Sequence, residues 1–341
     1  MLSDPLAVRP WLFKNHPKQL ALLDKFEVEL KLGRLSGVSS EPGAKGESLK
    51  SIDRRTVAFR TVEILKTMIG STRWQTPAHL VALLRGLGRE LHSAGGFREP
   101  AIGNVVRRII AAVREEAVME AITEFTSDLE DLHKNINDQA TDHIHAGEIV
   151  LTYGRSKTVE SFLKAAADKR LKFTVVVCES APKYEGSEMA KSLADCGIDT
   201  CVIPDSAIFC IMARVNKVLL PAHAVLANGG LIAPSGSNMV VLSASQNSVP
   251  VICLTGMFKL TPIFPHEGQD TLNDMLCPSS VVSMHDKKLT LNNVDLVNPI
   301  YDYVRPELIN LYVTNVGSFQ PSYIYRLLAE YYHNDDWSSF E

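Results

Sequence analysis

The residues that are best suited to bind a ligand lie at positions 215–238, where the sequence predicts an apolar strand, a glycine turn and a helix start. Asn228 and Gly229 tolerate positive φ and therefore favour a tight turn. The hydroxyl and amide groups around Gly236 and Ser237 are predicted caps for a helix, whose free N–H groups attract anions such as phosphate. The glycines fit neither G-x-G-x-x-G nor the P-loop pattern, so a nucleotide fingerprint is absent. A capped helix after a tight turn, without any ligand, is the alternative interpretation.

Four other candidate site residues follow predicted strands, and parallel strands bring such turns to one edge of a sheet. They are Gly154, Glu179, Asp205 and His223. His223 is a side chain that titrates near neutral pH. A single imidazole at a strand end is more often a satisfied polar residue than a base, because a proton shuttle needs a second titrating group. These residues therefore predict a ligand pocket without an acid–base pair.

The sequence offers little for a metal ion. His143 and His145 are two positions apart and do not share a helix face, although Glu148 is close in sequence. The six cysteines form no C-x-x-C pair and mostly lie in apolar runs, which predicts small buried hydrophobic residues in a reducing compartment. The sequence also lacks the G-x-S-x-G elbow of many Ser/His/Asp hydrolases. We predict neither a metal ion nor a cofactor.

The composition is that of an ordinary soluble protein. The 341 residues are 45% hydrophobic and 22% charged, which suits about two domains, and the net charge of −4 gives no reason to expect nucleic-acid binding. No apolar stretch approaches the roughly 20 residues that cross a bilayer, and the first residues lack a signal-peptide pattern. We therefore expect a cytosolic protein without membrane or direct nucleic-acid partners.

The hydrophobic period changes near residue 147, which predicts a domain boundary between residues 1–146 and 147–341. The first part has the helical period, apart from a Gly/Ser/Pro-rich linker at 36–47 and an exposed junction at Gly95 and Gly96. The predicted domain is therefore all-helical. Its helices are expected at residues 16–32, 53–69, 77–91 and 102–117.

A longer predicted helix connects the two domains. Its apolar residues recur every three or four positions, which is typical of a seam that packs on another helix, in this chain or in a partner. We predict a break near Ala117, between the helix expected at 102–117 and this longer helix, rather than one continuous helix from 102 to 144. The seam consists of Ile122, Phe125, Leu129, Leu132 and Ile136.

Beyond residue 147 short apolar strands alternate with helices. This alternation predicts a Rossmann-like, doubly wound and mostly parallel α/β sheet, whose ligand crevice lies at the carboxyl ends of the strands. The strands are expected at residues 148–152, 173–178, 200–203, 217–220 and 250–254, and two of the intervening helices at 158–167 and 186–194.

Two groups of residues are candidates for contacts with partner proteins. Three arginines on one predicted helix would suit an acidic partner, or else form a solvated face with local ion pairs. The C-terminal helix carries several tyrosines, and tyrosine and arginine are well suited to anchor an interface. Closure of the sheet would explain the apolar residues of that helix, but its tyrosines less well. The candidates are Arg107, Arg108, Arg114, Tyr323, Tyr325 and Arg326.

Several runs of sequence resemble one known family. Glu179-Ser180-Ala181-Pro182, Asp205 and Asn228-Gly229-Gly230 with Gly236 look like the family that unites sugar-phosphate isomerases with regulatory subunits of eukaryotic translation initiation factor 2B. Its isomerases act on methylthioribose 1-phosphate or ribose 1,5-bisphosphate. Residues 155–163, 213–218 and 321–327 are similar to the beta-type regulatory subunits. The resemblance covers almost the whole chain.

The resemblance also marks the positions where isomerase chemistry would stand. Those enzymes move a proton between adjacent carbons of an opened sugar phosphate, with a cysteine and an aspartate as the catalytic pair. Aligned on this chain, the cysteine position carries Gly154, the aspartate position carries His223, and an Asn-Lys pair becomes Ala233-Pro234. Because glycine cannot titrate, the resemblance implies a vestigial pocket without catalytic residues.

The resemblance thus implies a non-catalytic regulatory and scaffold subunit of the guanine-nucleotide exchange factor for initiation factor 2. The implied partners are homologous alpha and delta regulatory subunits, gamma and epsilon catalytic subunits, and initiation factor 2 with its phosphorylated alpha subunit. The helical domain would help to sense that phosphorylation, and the chain would act by stabilising one subunit arrangement over another. The alternative is a sugar-phosphate isomerase with relocated catalytic residues, which would depend on His223.

Overall fold

The computed structural model describes residues 8–32, 54–71, 76–95, 99–114, 118–265, 273, 275–282 and 294–337. The predicted linker at 36–47, Gly96 and the predicted break near Ala117 lie outside these residues. The chain divides into two compact units. The first consists of Met1–Glu130, Leu260–Ile263 and Arg326–Glu341, and the second of Asp131–Lys259 and Phe264–Tyr325. The domain division into 1–146 and 147–341 stays a prediction.

The first unit is helical, as predicted for the N-terminal part of the chain. Leucines recur along its fourth helix every three or four positions, and Leu80, Leu84, Leu87 and Leu91 are all 0% exposed. This stripe lets the fourth helix pack on the fifth. The helices are α1 (Val8–Asn15), α2 (Pro17–Leu32), α3 (Arg54–Ser71), α4 (Pro77–Gly95), α5 (Pro100–Arg114) and the first part of α6 (Val118–Asp138).

The predicted seam lies on α6 and is buried. Its five apolar residues, from Ile122 to Ile136, are at most 6% exposed. The chain buries them itself, so the seam needs no helix from another chain. The connecting helix ends at Asp138, and a separate short helix, α7 (Ala140–His143), follows it.

The second unit contains a mostly parallel sheet of seven strands in the order β10-β9-β7-β4-β1-β2-β3. Its neighbouring strands are parallel, except that β10 runs antiparallel to β9. Each strand that the sequence predicts is present, with bounds that differ by no more than one residue. The predicted α/β fold class is confirmed. The unit's strands are β1 (Ile149–Tyr153), β2 (Thr174–Cys178), β3 (Asp199–Ile203), β4 (Lys217–Pro221), β5 (Ala224–Val225), β6 (Leu231–Pro234), β7 (Val251–Leu254), β8 (Tyr301–Val304), β9 (Leu311–Val313) and β10 (Ser318–Phe319).

Helices cover the sheet in the alternation that the sequence predicts. Helix α8 begins after Ser156, whose side chain accepts a hydrogen bond from the backbone N–H of Val159 at 3.5 Å. Helix α12 (Ile324–Tyr331) crosses the division between the two units. The other helices of the second unit are α8 (Lys157–Asp168), α9 (Glu185–Ala194), α10 (Ile208–Met212) and α11 (Ser237–Gln246).

A small antiparallel sheet, in the order β5-β6-β8, was not predicted. Its middle strand, β6, lies between the predicted glycine turn and the predicted helix start. Strands of two to four residues are too short to show a clear period. The partner β8 is also far along the chain, since Leu231 pairs with Val304.

The prediction that the cysteines are buried is wrong for most of them. Cys178 and Cys253 are buried, whereas Cys196, Cys201, Cys210 and Cys277 are exposed. Cys201 lies on β3, which is an edge strand with three of its five residues exposed. Apolar character along the sequence therefore did not imply burial there. As for membrane spans, the described helices include none with the length and apolar character to cross a bilayer.

Candidate functional site

The predicted turns meet at one edge of the large sheet. Gly154, Glu179, Asp205 and His223 follow or closely follow β1, β2, β3 and β4, respectively. These four strands are parallel neighbours in the order β4-β1-β2-β3, so their carboxyl ends lie along the same edge. The structure therefore places the four residues where the crevice of a doubly wound fold is expected.

Asp205 organises the turn after β2. Its carboxylate accepts hydrogen bonds from the backbone N–H of Ser180 at 3.0 Å and of Ala181 at 2.8 Å, and from the Tyr153 hydroxyl at 3.4 Å. Ser180 has a φ of 58°, a strained value that these contacts help to hold. Asp205 therefore has a clear structural task in shaping the edge of the sheet.

The two titratable neighbours of Asp205 are held in their protonated forms. Burial and, secondarily, the charge of Asp205 raise the pKa of Tyr153 well above its ordinary value. Burial and then the same carboxylate raise the pKa of the Cys178 thiol to about 12. A nucleophilic cysteine needs a thiolate, and a general base needs a pKa near neutrality. Neither side chain meets that requirement at neutral pH.

Gly154 brings no reactive group to this edge and accommodates no larger residue easily. Its φ is 64°, and a Cβ atom built on it would lie 3.2 Å from Ser180 Oγ. Glu179, after the adjacent strand, is half-buried, and its backbone N–H donates to the Ile203 carbonyl at 3.0 Å.

His223 is packed inside the fold. Only 3% of it is exposed, and its ring stacks on the Tyr301 ring with centroids 4.1 Å apart and planes 19° apart. Its backbone N–H donates to the Ile232 carbonyl at 2.8 Å. A general base must reach its substrate. The stacked, buried ring favours the interpretation of His223 as a structural residue.

The glycine turn is fixed by contacts from distant parts of the chain. Asn228 Oδ1 accepts from the Gly230 N–H at 2.9 Å, and Asn228 Nδ2 donates to the Tyr303 hydroxyl at 2.7 Å. The Gly229 carbonyl accepts from the Tyr312 hydroxyl at 2.8 Å. Gly229 has a φ of 81°, and its added Cβ would lie 2.4 Å from the carbonyl oxygen of Pro321. The turn thus requires glycine for backbone geometry and for close packing.

The predicted caps of α11 are wrong, because the helix is capped by Asp302. The Asp302 carboxylate accepts from the backbone N–H of Gly236 at 2.7 Å and of Asn238 at 3.0 Å. The N-cap residue is Gly236, which has no side chain to accept a hydrogen bond from the helix. Ser237 is fully buried. The helix start therefore holds an anion already, and that anion belongs to the chain itself. Sequence reasoning missed Asp302 because it lies 66 residues after Gly236.

The histidines near α7 take part in structural contacts. His143 Nε2 lies 3.1 Å from Ser318 Oγ, and the Glu148 carboxylate accepts from the His145 N–H at 2.8 Å. Glu148 also pairs with Lys217 Nζ at 2.8 Å. Over the described residues, no group of three His, Cys, Asp or Glu side chains is placed to hold a metal ion.

The arginine cluster is not the solvated face that the sequence allows, whereas its contact with a partner stays a prediction. Arg107 is 1% exposed, and Arg114 pairs with Asp336. Arg108 lies over the Tyr331 ring, with 4.6 Å between its guanidinium carbon and the ring centroid. All three side chains therefore contact the C-terminal residues of their own unit.

The C-terminal candidates differ in exposure. Tyr323 stacks on Phe319, with centroids 5.5 Å apart, and is half-buried. Tyr325 is 53% exposed, and the Arg326 side chain is 70% exposed and pairs with Glu330. The side chains of Tyr325 and Arg326 are therefore accessible to a partner protein.

The chain is similar to translation initiation factor subunits. The translation initiation factor eIF2B subunit beta of Dictyostelium discoideum is 48% identical over 220 residues, which cover 64% of this chain and only 56% of that protein. The subunit of the same name from Schizosaccharomyces pombe is 31% identical over 364 aligned positions, which cover 82% of this chain and 92% of that protein. The ribose 1,5-bisphosphate isomerase of Pyrococcus furiosus is 29% identical over 213 residues, 62% of this chain and 65% of the isomerase.

Solved structures agree with this similarity. In the tetrameric eIF2B-beta2-delta2 complex from C. thermophilum, one chain superposes with a TM-score of 0.73 at 26% sequence identity. The superposition covers 96% of this chain and 99% of that chain. The model of the Initiation factor 2 subunit family matches residues 54–321, which is most of the sequence. The chain therefore belongs to the Initiation factor 2 subunit family.

Proposed function

We propose that this chain is a non-catalytic, beta-type regulatory and scaffold subunit of the exchange factor for translation initiation factor 2. The observation that carries the proposal is that neither of the two positions aligned with the catalytic pair of the isomerases carries an accessible acid or base. Gly154 offers no titrating group, and His223 is buried against Tyr301. Together with Asp302 at the start of α11, these residues support a crevice whose polar groups serve the fold rather than catalysis.

A subunit of this kind needs a surface that meets its partner, and α10 and α11 offer one. The two helices contact each other and carry exposed apolar side chains. Phe209 is 64% exposed, Met239 44% and Leu242 53%. Exposed apolar groups on adjacent helices favour protein–protein contact. We propose that a homologous delta-type subunit covers this surface, because a solved relative is a complex of beta and delta subunits.

The remaining parts of the proposal concern the larger assembly. The chain would join alpha-type regulatory subunits, carry gamma and epsilon catalytic subunits, and act in the cytosol on initiation factor 2. The helical unit would contribute to sensing the phosphorylated alpha subunit of that factor. Such a role works through differential stability of subunit arrangements and requires no reacting side chain.

Co-expression with a delta-type homologue, followed by mass measurement of the purified complex, tests the proposal. We expect a stable complex with the unchanged chain and loss of the complex with Phe209→Glu and Leu242→Glu together, since two buried carboxylates are costly at an interface. The matched control is Phe13→Glu, because Phe13 is 73% exposed but lies on α1. The proposed surface would be contradicted if the unchanged chain formed no complex with the delta homologue, or if the double variant still bound it.

The second candidate function is a sugar-phosphate isomerase, which the similarity to the Pyrococcus furiosus enzyme favours. It requires turnover of ribose 1,5-bisphosphate or methylthioribose 1-phosphate by the purified chain, and loss of turnover on His223→Ala. Absence of turnover at high protein concentration would dismiss it. Turnover that survives His223→Ala would locate the chemistry elsewhere in the crevice.

A further inference from the structure

Two arginines of the first unit converge on one buried carboxylate near the C-terminus. Arg85 of α4 donates to Asp336 Oδ1 from Nε at 3.1 Å and from Nη2 at 2.7 Å. Arg114 of α5 donates to both carboxylate oxygens of Asp336, with one contact at 3.2 Å. The Asp336 side chain is 0% exposed. Charge-assisted, multidentate contacts of this kind are strong and selective for carboxylates.

A third arginine contacts the backbone of the same segment. Arg107 Nε donates to the Asp336 carbonyl at 3.0 Å, and Arg107 Nη2 donates to the Trp337 carbonyl at 3.2 Å. Just upstream, the Tyr332 hydroxyl donates to the Leu260 carbonyl at 3.0 Å. The arginine site, defined here as Arg85, Arg107 and Arg114, therefore contacts both the side chain and the backbone of an acidic segment, rather than an isolated carboxylate.

The bound segment is short and follows the end of a helix. After α12 it forms a single 3-10 turn, Asn334–Asp336, and Asp335 beside it is exposed. A single 3-10 turn, whose hydrogen bonds have poorer geometry than those of an α-helix, opens more readily than the elements of a core. When the turn opens, the arginine site loses its carboxylate and carbonyl acceptors. Because leaving the buried Arg107 guanidinium with fewer acceptors is costly, the vacated site favours another acidic peptide.

We propose that the arginine site is a binding site for acidic peptides, which residues 334–337 of this chain occupy in cis and which an acidic segment of another protein can take over. The site recognises an aspartate through its carboxylate, which pairs with two arginines. A third arginine donates to the backbone carbonyls of that aspartate and of the residue after it, and aromatic residues lie next to them in the sequence. The cis segment acts as a competitor at high effective concentration, so binding in trans is weak until the segment leaves.

Fluorescence anisotropy with a labelled peptide of residues 331–337 tests this proposal. The full chain with Asp336→Ala, checked for folding by circular dichroism, should bind the peptide about tenfold more tightly than the unchanged chain. A peptide with asparagine in place of both aspartates should bind about tenfold more weakly, because it lacks the charge that the arginines pair with. Adding Arg114→Gln to Asp336→Ala should weaken binding, whereas the exposed control Arg326→Gln should leave it unchanged.

Equal binding of the acidic and the amide peptides, or no binding to a folded Asp336→Ala chain, would overturn the proposal. If that variant does not fold, hydrogen exchange on the unchanged chain decides. A saturating concentration of the acidic peptide should accelerate amide exchange at residues 334–337, because it displaces them. Unchanged exchange would refute displacement.

Discussion

Single residues in the candidate site stabilise the fold through contacts with residues that are distant in sequence. Asp302 is the clearest case, since its carboxylate replaces the hydroxyl caps predicted for α11. It also places a negative charge where an anionic ligand would meet free N–H groups. The capping of α11 by Asp302 and the stacking of His223 on Tyr301 agree with a site whose side chains serve the fold.

Removal of this carboxylate should weaken the second unit measurably. We expect Asp302→Ala to lower the free energy of unfolding by about 2 kcal/mol, because two helix-terminal N–H groups lose a charged acceptor. Denaturant titration measures the change, with the exposed Asp295→Ala as the control. Added phosphate should raise the melting temperature of the Asp302 variant more than that of the control. Equal stability of the two variants would show that the cap is unimportant.

Two glycines with the same φ allow packing to be separated from strain. Gly229 and Gly147 both have a φ of 81°, but an added Cβ meets the Pro321 carbonyl at 2.4 Å in the first and nothing within 4 Å in the second. We expect Gly147→Ala to cost about 1 kcal/mol of stability from strain alone. Gly229→Ala should cost about 2 kcal/mol more, because a backbone carbonyl must move. Thermal unfolding of both variants provides the comparison, and equal losses would refute the packing argument.

At the scale of elements, local patterns predicted well and distant partnerships did not. The strands β1 to β4 and β7 were predictable because their apolar runs are local properties of the chain. The β5-β6-β8 sheet, the Asp302 cap and the Asp336 contacts each join segments that are far apart in sequence. Nothing within a window of neighbouring residues records such pairings. For the same reason the sequence placed Arg107 at the surface although it is buried.

The seam on α6 gives a prediction at the scale of one helix. Ile136 is 0% exposed, whereas Lys134 on the same helix is exposed. We expect Ile136→Ala to lower the free energy of unfolding by about 3 kcal/mol, since it removes buried methyl groups and leaves a cavity. Lys134→Ala should change it by less than about 0.5 kcal/mol. Denaturant unfolding distinguishes the two, and similar small effects would mean that the helix is not anchored through this face.

The stability of the whole molecule should depend on pH through the half-buried His92. Burial lowers the pKa of His92, and the charge of Arg107 lowers it further. The folded state therefore prefers the neutral ring. The stabilisation from this preference is complete above the ordinary pKa of about 6.5 and is lost as the pH falls below it toward the folded value.

Replacement of His92 should flatten that dependence. Between about pH 7 and pH 5, the free energy of unfolding of the unchanged chain should fall more steeply than that of His92→Gln, because only the former takes up this proton on unfolding. His145→Gln is the control, since His145 is exposed. Denaturant titrations at several pH values give the slopes. Parallel slopes for the unchanged chain and His92→Gln would rule out His92 as the linked group.

The division of the chain has a practical consequence for genetic dissection. Residues Met1–Glu130, Leu260–Ile263 and Arg326–Glu341 belong to one unit, so residues on both sides of the α/β unit in the sequence contribute to the helical unit. Deletion of residues 334–337 would damage the helical unit, where Asp336 meets Arg85 and Arg114. A loss of function after such a trim would therefore report on the amino-terminal helices, although the deleted residues follow the α/β unit in the gene.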